Sequence, residues 1–85
     1  MYQKSKSVLS TELDGEICLF HTDTANYLNL NSTASFIWKQ INEVFSINYV
    51  INLLLDEFDI DKQTCEIETK EFISQCLNLK MIESV

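Results

Sequence analysis

The 85-residue sequence contains no arginine and no proline, and Gly15 is its only glycine. A single glycine excludes the glycine-rich loops that cradle phosphates in nucleotide-binding proteins. The lack of arginine removes the side chain that most often reads guanine in DNA, and a net charge of −7 repels a polyanion. We therefore expect no nucleic-acid partner.

Long apolar segments are missing as well. No apolar run approaches the roughly 20 residues that a membrane-spanning helix needs. The lysines near the N-terminus are not followed by the apolar segment of a secretory signal. These features predict a cytoplasmic protein with no membrane partner. The length suits one domain, covering residues 1–85, and we expect its two ends to be frayed.

The sequence offers no constellation for catalysis or metal binding. Cys18, Cys65 and Cys76 form an odd set without CxxC spacing, so we expect reduced thiols packed as small apolar side chains, with a reactive thiol as the weaker alternative. His21, the only histidine, ends a predicted strand and is expected to be exposed. The acidic segment 56–61 lacks the glycine and final glutamate of a calcium loop. We expect no catalytic residue, no metal and no cofactor, and hence no enzyme.

Short apolar runs separated by turn residues predict three antiparallel strands between Val8 and Leu30. The pair Asp14 and Gly15 is a strong signal for the turn of a hairpin. In the third strand, alternation places Leu28 with Leu30 on the core face and their neighbours on the exposed face. Its sequence NYLNLN has no charge or proline to protect an edge. The pattern leaves open whether this strand is central or is an edge to which an extended peptide could add.

Three helices follow the strands. Asn31 or Ser32 is expected to cap the first helix, which ends near Asn42, while Ser46 caps the second and Asp61 the third, which runs to Leu79. The third has an apolar stripe at helical spacing, formed by Thr69, Phe72, Ile73, Cys76 and Leu77. The predicted fold is α+β, winged helix-turn-helix-like, with a three-stranded antiparallel sheet followed by three helices.

Four segments, in this order, resemble PqqD-like proteins: DGEICLF, the YxxLN motif at 27–31, STASFIW, and IETKEFISQCLNLKMIE. The resemblance covers nearly the whole chain. Such domains are also called RiPP recognition elements, because they bind the leader segment of ribosomally synthesised, post-translationally modified peptides. In that family the leader adds as a strand along the third strand and packs against the third helix. The resemblance therefore implies nine peptide-binding residues: Tyr27, Leu28, Asn29, Leu30, Glu68, Thr69, Phe72, Ile73 and Cys76.

The resemblance implies a non-catalytic adaptor whose partners are a precursor leader peptide and an enzyme. That enzyme is expected to be the leader peptidase of lasso-peptide biosynthesis, and a radical SAM peptide-modifying enzyme is the alternative. A structural subunit of a larger enzyme also remains open. A winged-helix transcriptional regulator is a candidate of a different class, but the third helix has only Lys62 and Lys70 against four acidic residues, which speaks against DNA binding.

Overall fold

The structure is a computed structural model that describes all residues, 1–85. Its elements in chain order are β1 (Tyr2–Lys4), β2 (Val8–Leu13), β3 (Glu16–His21), β4 (Tyr27–Asn29), α1 (Ser32–Gln40), α2 (Ile47–Glu57), α3 (Lys62–Asn78) and β5 (Ile82–Ser84). Strands β2, β3 and β4 form an antiparallel sheet in that order. The predicted α+β class, with a three-stranded sheet followed by three helices, is confirmed.

Local chemistry sets the ends of the elements. Asp14 and Gly15 both have positive φ, 54° and 84°, as the tight turn between β2 and β3 requires. The side chains of Asn31, Ser46 and Asp61 each accept a hydrogen bond from the backbone N–H three residues later, so the three predicted N-caps are confirmed. Helix α1 ends at Gln40, two residues earlier than expected, because the next residue turns to extended backbone and enters the core.

The helices cover one face of the three-stranded sheet. Ile17 and Leu19 from β3 are buried with Leu28 and Leu30 from the β4 segment, in one cluster with Trp38 of α1 and apolar residues of α2 and α3. The predicted alternation of the third strand is therefore confirmed. On the opposite face, register aligns three exposed side chains in one row across the strands, namely those of Leu9, Phe20 and Tyr27.

Two expectations about the chain were wrong. The ends are not frayed, because β1 pairs antiparallel with β5 and the Val85 N–H donates to the Met1 carbonyl at 2.9 Å. His21 is not exposed: its side chain is only 6% accessible, and its Nδ1 accepts hydrogen bonds from the N–H groups of Asp23 and Thr24 at 3.2 and 3.3 Å. The imidazole thus substitutes for main-chain partners inside the β3–β4 turn.

All three cysteines are free thiols. Cys65 and Cys76 are buried among apolar residues, as expected, and Cys18 is half-buried on the outer face of the sheet. None of the helices has both the length and the apolar character that crossing a membrane requires.

Candidate functional site

Strand β4 lies at an edge of its sheet, because the order β2-β3-β4 gives it a hydrogen-bonded neighbour on one side only. Two bonds define how it pairs with β3. The Leu30 N–H donates to the Ile17 carbonyl, and the His21 N–H donates to the Asn26 carbonyl, both at 2.8 Å. In an antiparallel ladder such pairs recur at every second residue, so positions 26, 28 and 30 point their main-chain groups at β3.

The main-chain groups of the alternate positions therefore point away from the sheet. These are the N–H and C=O of Tyr27 and Asn29, and no hydrogen bond outside the regular elements uses them. The side chain of Tyr27 is 65% exposed on the outer face of the sheet. The edge has no proline, lysine or bulge, which are the usual devices that stop another chain from pairing there. It is thus a ready template for an added strand.

A cavity of about 320 Å³ begins where β4 ends. One wall is the start of α1, including Asn31, Thr33 and Ala34, and the opposite wall is α3. Three buried apolar side chains complete the lining, namely Ile37 from α1, Leu54 from α2 and Phe72 from α3. Asn31, which lines the cavity, follows the last residue of β4 by two positions, and we call the free edge of β4 and the cavity together the β4–α3 groove.

One side of α3 supplies the acidic part of the cavity rim. Glu68, Glu71 and Gln75 line the cavity together with Phe72. Their spacings of three and four residues put them next to one another on the helix surface. The α3 side of the rim therefore has two carboxylates and one amide, and no lysine lines the cavity.

The structure brings together only part of the residue set expected on α3. Glu68 and Phe72 reach the cavity. Thr69, Ile73 and Cys76 are buried in the core beneath it, and the Thr69 hydroxyl has no hydrogen-bond partner. Burial raises the pKa of the Cys76 thiol to about 12, so this group stays neutral and apolar in character. Their contact with a peptide stays a prediction.

Several cavity residues were not anticipated from the sequence. Glu71 and Gln75 follow Glu68 at intervals of three and four residues, a signal that could have found them. Ile37 and Leu54 belong to other helices, so only the packing of α1 and α2 against α3 brings them to the cavity.

The position of β4 depends on the turn that precedes it. His21 Nδ1 fixes the N–H groups of residues 23 and 24, and the Thr22 N–H donates to the Ser7 carbonyl at 2.8 Å. The Ser7 hydroxyl in turn donates to the Asp23 carboxylate at 2.9 Å. These bonds tie the β3–β4 turn to the segment before β2, and so hold the free edge in place.

The chemistry of the groove suits binding an extended chain. Main-chain donors and acceptors stand in a row beside an apolar cavity, the arrangement by which proteins capture peptides through strand addition. No group of three or more histidine, cysteine or acidic side chains is arranged to hold a metal ion.

One protein family and two solved structures are similar to this chain. The family model of coenzyme PQQ synthesis protein D (PqqD) matches residues 16–82. No curated protein matches the chain. The structure of TbiB1 in complex with the TbiA(beta) leader peptide is similar, with 25% identity, a TM-score of 0.86, and coverage of 98% of this chain and 96% of that one. Lasso peptide synthetase B1 complexed with the leader peptide shares the fold, with 17% identity, a TM-score of 0.81 and 98% coverage of both chains.

Proposed function

This chain belongs to the PqqD family, and from that premise we propose that it is a non-catalytic adaptor that binds the leader segment of a ribosomally synthesised precursor peptide. The adaptor holds the leader and delivers it to a processing enzyme. It acts in the cytoplasm, where the precursor is made, and residues 1–85 serve as a single leader-binding domain. It performs no chemistry of its own.

One observation carries the proposal: β4 has an unpaired edge, and the chain that leaves β4 lines the cavity between α1 and α3 from Asn31 onward. An added strand can bond to the outward N–H and C=O groups of Tyr27 and Asn29. These main-chain bonds are independent of sequence and supply affinity, while pockets for alternate side chains supply selectivity. A leader side chain that faces inward at the end of the strand enters the cavity and packs on Ile37, Leu54 and Phe72.

The contributions of the expected peptide-binding residues differ under this proposal. Tyr27 and Asn29 bind through main-chain groups, and Leu28 and Leu30 form the inner surface beside them. Phe72 contacts the inserted side chain directly. Glu68 lies at the rim, and the three buried α3 residues, Thr69, Ile73 and Cys76, support the wall from beneath.

We propose a leader peptidase of lasso-peptide biosynthesis as the partner enzyme. Two structural relatives support this choice, since TbiB1 is in complex with the TbiA(beta) leader peptide and the other is a lasso peptide synthetase B1 complexed with the leader peptide. A radical SAM peptide-modifying enzyme is the second candidate, because the family takes its name from coenzyme PQQ synthesis protein D.

A fluorescence-polarisation titration tests the proposal. The ligand is the labelled leader of the precursor peptide encoded beside this gene, and the controls are a scrambled leader and a DNA duplex. We expect saturable binding of the leader with a Kd in the micromolar range or tighter, and none of the controls. Binding of the duplex alone would instead support a transcriptional regulator.

A further inference from the structure

The two carboxylates at the rim of the cavity have no cationic partner in the protein. The structure has one ion pair, between Lys39 and Glu12, and neither residue lines the cavity. Glu68 and Glu71 are both exposed, and they are three residues apart on α3. Like charges at this spacing on a helix repel each other, so placing both on one side lowers helix stability slightly. A leader with a complementary charge would remove that repulsion.

The two lysines of α3, Lys62 and Lys70, lie on a different side of the helix from Glu68. At about 100° per residue, Glu68 and Glu71 lie roughly 60° apart around the helix. On the same helical wheel, Lys70 lies about 160° and Lys62 about 120° from Glu68. The cavity therefore presents negative charge above an apolar floor, within a protein whose net charge is already −7.

We infer that Glu68 and Glu71 select leaders in which a lysine or arginine faces the β4–α3 groove next to an apolar anchor. The inference rests on the proposed function and names the class of leader. The anchor fills the cavity over Phe72, and the cation pairs with the carboxylates at the rim. Desolvation of the anchor lowers the local dielectric and makes that pairing stronger than an isolated surface ion pair.

Strand geometry fixes the spacing of the two leader residues. Side chains of an added strand alternate between the groove and the outer face, in step with those of β4. The groove-facing positions are level with Leu28 and Leu30, and the outer ones with Tyr27 and Asn29. Anchor and cation occupy neighbouring groove-facing positions and are therefore two residues apart. A shift of the cation by one residue moves it to the outer face, beyond the reach of Glu68.

The test uses the full protein and the labelled leader encoded beside its gene, with three synthetic variants. In one variant the groove-facing lysine or arginine becomes glutamine, in another it becomes glutamate, and in the third it moves by one residue. The protein variant is Glu68→Lys. Glu66→Lys is the matched control, because it makes the same charge change on α3 about 160° around the helix from Glu68.

We expect Glu68→Lys to weaken leader binding about tenfold, the effect of losing a charge-assisted contact at a partly exposed site. The glutamate leader should bind Glu68→Lys more tightly than it binds the unaltered protein. The control should change Kd by less than about threefold, and moving the basic residue should cost as much as replacing it by glutamine.

Equal weakening by both protein variants would overturn the inference, because only net charge would then matter. Unchanged affinity of Glu68→Lys would also overturn it while leaving the proposed function intact. If the unaltered protein binds the leader no better than a scrambled peptide, the proposed function and this inference both fail.

Discussion

Replacing Asn29 by proline is expected to block leader binding without harming the fold. The Asn29 N–H points away from β3, so the substitution removes a donor that the protein itself does not use. The φ of proline, about −65°, is compatible with extended backbone, and the preceding residue is already in a strand. The pyrrolidine ring then occupies the space in which an added strand would place its carbonyl.

The size of the effect follows from the bonds involved. One main-chain hydrogen bond contributes a net of roughly 0.5–1.5 kcal/mol, and displacement of the added strand weakens the neighbouring bond as well. A loss of roughly 1–3 kcal/mol corresponds to an increase in Kd of about 5- to 150-fold. Because no internal bond is lost, the free energy of unfolding should change by less than about 1 kcal/mol, a few degrees in Tm.

Two matched variants distinguish the loss of a binding contact from the loss of the fold. Asn29→Ala keeps the N–H and should bind within about twofold of the unaltered protein. Leu28→Pro removes a bond to β3 and a buried side chain, and should lower the free energy of unfolding by about 3 kcal/mol or more. The measurements are a leader titration and a thermal melt for each variant. A folded Asn29→Pro protein with unaltered Kd would refute pairing at this edge.

Three further predictions concern the groove and its support. Phe72→Asp places a carboxylate in the apolar floor of the cavity and should abolish leader binding in a titration. The control Ile67→Asp, at an exposed position of α3, should not abolish it. Equal effects of the two variants on Kd would contradict the groove assignment. His21→Ala leaves two N–H groups of the β3–β4 turn without their acceptor. It should lower the free energy of unfolding, measured with denaturant, by about 1–3 kcal/mol and weaken leader binding. An unchanged free energy of unfolding would show that other bonds hold the turn. Burial raises the pKa of Cys76 to about 12, so its thiol stays protonated, and thus unreactive, at pH 8. A disulfide reagent should therefore modify Cys18 first and Cys76 only on unfolding. Rapid reaction of Cys76 in the folded protein would argue against its burial.

The parts of the fold that depend on neighbouring residues could be predicted from the sequence. The turn at Asp14 and Gly15 is such a case, because few residues other than glycine, asparagine and aspartate adopt positive φ readily. The N-caps at Asn31, Ser46 and Asp61 are others, because each side chain bonds to an N–H only three residues away. The alternation in the third strand likewise identified which side chains enter the core.

Features that depend on distant residues could not be predicted in this way. Strands β1 and β5 are three residues long and pair across the whole chain, so neither has a local pattern. The position of His21 at the end of a strand suggested exposure, but the turn around it supplies two N–H donors and buries it. The cavity needs Leu54 from α2 beside Phe72 from α3, and helical spacing in one segment cannot reveal a contact between two helices. The resemblance to PqqD-like proteins implied Glu68 and Phe72, which both line the cavity, but not Glu71 and Gln75 beside them.

Hydrogen exchange at single amides of β4, followed by NMR with and without the leader peptide, tests the central claim most directly. In the free protein the amides of Tyr27 and Asn29 point to solvent and should exchange fast, while that of Leu28 is already bonded to β3 and should exchange slowly. Strand addition predicts that saturating leader slows exchange at Tyr27 and Asn29 by at least about tenfold. Saturable leader binding that leaves both amides exchanging as fast as before would contradict it.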